Sequence, residues 1–114
     1  MYRLEFVGKF DAAHKLNLPY NSPCNKLHGH SYHVTIQITT EVLNRLKMVV
    51  DFADLKPIIS QLDHCLLNNK IPEPTIEVIA DWIREQVHVL CPTAQISVTV
   101  SEGGNNKVTA YENY

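Results

Sequence analysis

Long hydrophobic runs are absent from this 114-residue chain, and so is any excess of one charge. The opening residues Met1-Tyr2-Arg3-Leu4-Glu5 carry no apolar stretch of signal-peptide or membrane-span length. Ten basic against twelve acidic residues leave a formal charge of −2, which provides no basic footprint for a nucleic-acid backbone or an anionic membrane. The expected ligand is therefore a small polar molecule, with no nucleic acid and no membrane as partner. Cysteine is scarce and odd in number: Cys24, Cys65 and Cys91 at irregular spacing argue against a disulfide framework and point to free thiols in a cytoplasmic, reducing compartment. Neither a low-complexity segment nor a repeat of domain size occurs. With 45% hydrophobic residues the chain can bury one modest core, so residues 1–114 read as a single domain.

What is present begins with alternation. Leu4, Phe6, Phe10, Ala12 and His14 share one side of a strand, with Val7-Gly8 as the place for a bulge. A long loop rich in Pro and Asn follows over residues 15–27, and its length in so small a domain suggests a site. His28, His30, Tyr32, Val34, Ile36 and Ile38 then alternate with Ser31, His33, Thr35, Gln37 and Thr39 in the clearest strand of the sequence. Leu55, Ile58, Ile59 and Leu62 predict a short helix after an Asp54 cap, with Pro57 in its first turn. Ile76, Ile79, Ala80, Ile83 and Val87 predict a longer helix capped by Thr75 and ending near Cys91-Pro92. Ile96, Val98, Val100 and Glu102, a turn at Gly103-Gly104-Asn105-Asn106, and Val108, Ala110 and Glu112 form a second hairpin. The order predicts an α+β fold: a four-stranded antiparallel sheet with two helices on one face.

The chemistry concentrates in Cys24-Asn25-Lys26-Leu27-His28-Gly29-His30 and His14. Histidines one residue apart on an extended chain point the same way, so His28 and His30 can reach one ion together. His14 joins them by phase. Three buried imidazoles need partners, and a shared metal supplies one. Three protein ligands leave a zinc ion one open position, the arrangement of catalytic rather than structural sites. Cys24 is open to three readings: a fourth ligand that closes the site, a thiolate base beside it, or a small apolar loop residue. His33 and His88 read as ordinary histidines. Asp63-His64 pairs a carboxylate with an imidazole, although both are common at helix ends and neighbours on a helix do not face each other. Glu102 ends an apolar inward series, where it needs a cationic or N–H-rich partner unless the strand has already reached solvent. Capping alone explains Thr75 and Glu77.

Taken in order, Phe10-x-Ala12-Ala13-His14, Cys24-x-x-x-His28-Gly29-His30, Val50-Asp51-Phe52-x-x-Leu55-Lys56, Leu62-Asp63-His64, Pro74-Thr75-x-Glu77 and Val100-x-Glu102 resemble the 6-pyruvoyltetrahydropterin synthase and 6-carboxytetrahydropterin synthase family over nearly the whole chain. The resemblance implies the tunnelling fold, whose sheet edges pair between copies into a barrel, commonly a hexamer of two trimers. It implies His14, His28 and His30 as zinc ligands, Cys24 as the base, and Asp63 with His64 as a second proton-transfer unit reaching a neighbouring subunit's site. It further implies Glu102 as the pterin anchor, Thr75 as another pterin contact and Lys26 as a triphosphate contact. The three residues between Cys24 and His28 resemble the carboxy-forming branch of 7-deazaguanine (queuosine and archaeosine) biosynthesis. That branch converts 7,8-dihydroneopterin triphosphate to 6-carboxytetrahydropterin, acetaldehyde and triphosphate. The alternatives are 6-pyruvoyltetrahydropterin synthase, which eliminates triphosphate without carbon–carbon cleavage, and a non-catalytic zinc module closed by Cys24. One departure stands out: Leu46-Lys47-Met48 lacks the glycine that this family often has there, which leaves the turn after the second strand open.

Overall fold

The computed structural model describes residues 1–112. Its strands β1 (Tyr2–His14), β2 (His28–Thr40), β3 (Gln95–Glu102) and β4 (Asn106–Tyr111) form one sheet in the order β1-β2-β3-β4, every neighbouring pair antiparallel. Helices α1 (Phe52–Ser60) and α2 (Ile76–Leu90) lie between β2 and β3 in sequence and pack on the same face of the sheet. The expected α+β layout is present.

Alternation fixes which face is covered. Tyr32, Val34, Ile36 and Ile38 of β2 are fully buried, while Ser31 and His33 face outward. Each buried aliphatic side chain there contributes about 1.5–3 kcal/mol, and a one-residue slip would turn the whole set into water. In β1 the register runs unbroken through Val7↔Thr35 and Gly8↔Val34, so the expected bulge is absent. Gly8 instead keeps the inward phase between Phe6 and Phe10. An added methyl there would lie in ordinary contact, 3.5 Å, with the Ile59 side chain of α1.

Helix α1 starts earlier than its apolar spacing suggests. Asp51, not Asp54, is the cap: its side chain accepts from the Ala53 N–H at 2.9 Å. Pro57 therefore sits inside the helix rather than in its first turn, where it removes one backbone hydrogen bond. Helix α2 matches expectation, with the Thr75 hydroxyl accepting from Val78 N–H and Ile79, Ala80, Ile83 and Val87 buried against β3 and β4. The turn lacking glycine forms nonetheless. Lys47 adopts φ 67°, a conformation glycine takes without strain, and the Asn44 carboxamide oxygen accepts from the N–H groups of Leu46 and Met48 at 2.9 and 3.1 Å.

Two features position the site. Strand β3 begins pairing with β2 at Tyr32↔Glu102, so His28–Ser31 stand beyond it at the end of the first hairpin. After α1 the chain runs along the open edge of β1, with Ala13 N–H donating to Cys65 O at 3.0 Å and His64 N–H to Asp11 O at 2.7 Å. That segment covers the edge at the same end of the sheet.

Candidate active site

The hairpin register sets the three imidazoles side by side. His14 is the cross-strand partner of His28, and Ala12 the partner of His30, so all three rings project from the inner face of the β1–β2 end. One ring nitrogen from each lies within 4.8 Å of the others. His14 is buried at 2% exposure, and His28 and His30 are half-buried. The His14 Nδ1 faces Pro74 O at 2.8 Å and the His28 Nδ1 faces Lys26 O at 2.6 Å. A carbonyl can only accept, so both Nδ1 atoms carry the proton and both Nε2 atoms present lone pairs. Those two Nε2 atoms stand 3.0 Å apart.

Facing lone pairs at that distance repel unless a proton or a cation lies between them. Burial holds the His14 pKa below its usual value, against the opposing pull of the Pro74 carbonyl, which makes a shared proton the poorer solution. A divalent ion fits the donor set, and its outer support is already in place as carbonyls on two of the three rings. Neither carbonyl is legible in a residue pattern. Tyr32 is different: fully buried, with its hydroxyl 3.4 Å from both ring nitrogens of His14, it was placed by phase beside the histidines, and a buried phenol needs a partner.

Glu102 meets the cation-capable partner its position demands. Its Oε2 lies 3.5 Å from His30 Nε2, and it is half-buried across the register from Tyr32. Burial first, and the Glu102 charge second, push the Tyr32 phenol up, so it stays protonated. Cys24 lies in a short turn, Pro23–Asn25, held by Leu16 N–H to Cys24 O at 2.8 Å and by Cys24 N–H to the Ser22 hydroxyl at 3.2 Å. Its half-buried thiol is not among the atoms gathered by the three histidines. The Lys26 side chain is exposed, and its main-chain carbonyl holds His28. Thr75 directly follows Pro74, whose carbonyl holds His14, and spends its hydroxyl's acceptor capacity on the α2 cap.

Asp63 and His64 lie elsewhere. Both follow the end of α1, and His64 at φ 54° turns its ring back so that Nδ1 reaches Asp63 Oδ2 at 3.0 Å. Adjacent residues within a helix do not face each other in this way. With Asp11 they form a second group of ligand atoms within 4.8 Å, separate from the three histidines. The groove that His64 borders is lined by Asp11, Ala12, Ala13, Gly29, His30 and Ser31, so it runs from the pair to one of the three histidines. Asp63 Oδ1 accepts from Asp11 N–H at 2.9 Å, and that bond, followed by the contacts with His64, holds its carboxyl below the usual range.

A family model described as 6-pyruvoyl tetrahydropterin synthase matches residues 3–113. A Pyrococcus horikoshii protein provisionally named 6-carboxy-5,6,7,8-tetrahydropterin synthase is 35% identical over 83 residues, covering 73% of this chain and 46% of that protein. The Bacillus subtilis protein named 6-carboxy-5,6,7,8-tetrahydropterin synthase is 30% identical over 93 residues, 74% of this chain and 64% of its own length. The chain thus spans between about half and two thirds of these two relatives. Pyrococcus furiosus dihydroneopterin monophosphate aldolase is 32% identical over 94 residues, 79% of this chain and 78% of that protein. Among solved structures, Caenorhabditis elegans 6-pyruvoyl tetrahydropterin synthase superposes with a TM-score of 0.77 at 26% identity, covering 98% of this chain and 96% of that one. The ordered motifs, the four-stranded sheet under two helices and the match over residues 3–113 have one common explanation: the chain belongs to the 6-pyruvoyl tetrahydropterin synthase family.

Proposed function

We propose that this chain is a zinc-dependent 6-carboxy-5,6,7,8-tetrahydropterin synthase, a carbon–carbon lyase that converts 7,8-dihydroneopterin triphosphate to 6-carboxytetrahydropterin, acetaldehyde and triphosphate in 7-deazaguanine biosynthesis. The observation that carries it is the convergence of His14, His28 and His30, with Glu102 beside His30, at one end of the sheet. The names of the Pyrococcus horikoshii and Bacillus subtilis relatives support the carboxy-forming branch. The three free cysteines support a cytoplasmic setting.

His14, His28 and His30 would hold zinc, and a zinc ion held there supplies Lewis acidity toward the substrate's side-chain hydroxyls. The protein's own groups do the rest. Glu102 accepts two N–H bonds from the aminopyrimidine edge of the pterin, charge-assisted and directional, and so sets which side-chain carbon meets the acid/base groups. Thr75 adds a second pterin contact at the start of α2, and Lys26, exposed on the loop, meets the triphosphate. Cys24, on the same loop, removes a side-chain proton as the base. Asp63 orients the His64 imidazole, whose free Nε2 completes the second proton transfer. That pair is a group of ligand atoms separate from the histidines, and in this reading it serves the site of another copy in a homo-oligomer, a hexamer, with residues 1–114 acting as one domain of a shared barrel.

Product analysis tests the proposal. Protein of known zinc content incubated with dihydroneopterin triphosphate releases acetaldehyde and triphosphate together. Triphosphate without acetaldehyde identifies the pyruvoyl-forming reaction instead. The aldolase from Pyrococcus furiosus, similar over most of both chains, favours one further reading: turnover of dihydroneopterin monophosphate with release of a phosphorylated aldehyde, and none with the triphosphate, would assign that activity.

A further inference from the structure

Asp11 belongs to none of the roles above, yet it touches both members of the Asp63–His64 pair. Its main-chain N–H donates to Asp63 Oδ1 at 2.9 Å and its main-chain carbonyl accepts from His64 N–H at 2.7 Å. Its side chain is pinned as well. The Ser31 hydroxyl, directly across the register on β2, donates to Asp11 Oδ1 at 2.6 Å. The Asp11 carboxylate, an Asp63 oxygen and a His64 ring nitrogen all lie within 4.8 Å of one another. One imidazole is thus flanked by two carboxylates, and the second has its own tether on the rigid hairpin.

A mobile, exposed carboxylate beside Asp63 would simply swing away from the like charge. Ser31 prevents that: a charge-assisted bond of this length keeps the Asp11 carboxylate in place. Asp63 has already committed one oxygen to Asp11 N–H and the other to His64 Nδ1. Lys9 and Lys56 line a hollow that Asp63 also borders, but among the described contacts the ion-pair partner of that carboxylate is His64. The negative charge of Asp11 therefore adds to that of Asp63 beside the His64 ring, whose Nδ1 lies 3.0 Å from Asp63 Oδ2. His64 is 80% exposed and sits at a left-handed φ, so nothing else among the described contacts restrains its ring.

We propose that Asp11, locked by Ser31, is a positioning residue that fixes the tautomer and orientation of the His64 imidazole. This rests on the reading of His64 as a proton-transfer group, and it adds to the active unit an outward strand residue that touches no substrate. The geometry forms a chain across three elements, Ser31 on β2, Asp11 on β1 and Asp63–His64 after α1, so the ring is registered to the hairpin that also carries the three histidines.

The test uses the full-length, zinc-loaded protein and two readouts. Nuclear magnetic resonance of isotope-labelled histidine reports the His64 tautomer without any turnover. The wild type is expected to show the Nδ1-protonated form alone, and Asp11→Asn a mixture of tautomers. Kinetics form the second readout. Asp11→Asn is expected to lower kcat by roughly 10–100-fold, the range for removing a partner that orients a working group, with KM and zinc content unchanged. In a His64→Ala background the same substitution should have no further effect. An unchanged His64 tautomer in Asp11→Asn, or an equal loss of kcat with and without His64, overturns the proposal. Should Asp11→Asn not fold, Ser31→Ala is read the same way, since it frees the carboxylate without removing it. A wild type inactive on dihydroneopterin triphosphate would refute the functional reading, while the resonance experiment still decides the role of Asp11.

Discussion

His14 joins the two requirements of a metal ligand, a buried ring and a fixed tautomer. Burial depresses its pKa below the usual 6.5, so the neutral form that stabilises the fold and would bind metal is fully present above that value and is lost as pH falls through the lower folded-state pKa. Equilibrium dialysis at about pH 7.5 and about pH 5 should therefore show metal retained at the first and released at the second. Release that sets in on raising the pH would contradict the assignment. Glu102 gives a second residue-scale test. Glu102→Gln keeps the shape but turns one acceptor oxygen into a donor against the pterin N–H groups, and should lower kcat/KM by roughly 10–100-fold, as expected for losing a charged hydrogen bond of about 1.5–3 kcal/mol. Unchanged steady-state kinetics would remove Glu102 from the site. At this scale the sequence was legible wherever phase decides: His14, His28, His30, Tyr32 and Glu102 all share the inward face, as alternation requires. What phase cannot carry is a main-chain partner, so the Pro74 and Lys26 carbonyls emerge only from the fold.

Elements were legible in kind and less so at their ends. An apolar spacing marks the buried face of a helix but not its first turn, which is why α1 begins at Phe52 behind an Asp51 cap although Leu55 is the first buried residue. Gly8 likewise weakened the pattern of β1 without breaking its register, and it faces the Ile59 side chain of α1. The turn before α1 is the informative case. Lys47 occupies φ 67°, a conformation that costs a non-glycine residue about 1–2 kcal/mol. Lys47→Gly should raise stability by roughly 0.5–1 kcal/mol after the greater freedom of the unfolded glycine is counted, readable as a higher urea midpoint with an unchanged slope. A lower midpoint would mean that the Lys47 side chain contributes more than its backbone strain costs. The family's frequent glycine thus has a conformational reason, and here Asn44 holds the turn closed without it.

For the whole molecule, the decisive fact is that the histidine cluster and the Asp63–His64 pair form two separate groups of ligand atoms. If the pair serves the site of another copy, as proposed, there is a measurable consequence. Two inactive variants, His28→Ala and His64→Ala, when unfolded together and reassembled, should regain roughly a quarter of wild-type activity, because random mixing leaves one composite site in four intact. Mixtures that stay inactive would place both clusters in one chain's site.

The central claim concerns the ion itself, and X-ray absorption at the zinc edge examines it most directly. Zinc-loaded protein should show three imidazole nitrogens and one light, exchangeable oxygen ligand with no sulfur, and Cys24→Ala should give the same spectrum while losing turnover. A sulfur ligand in the wild type that disappears in Cys24→Ala, or a protein that retains no zinc, would contradict the account.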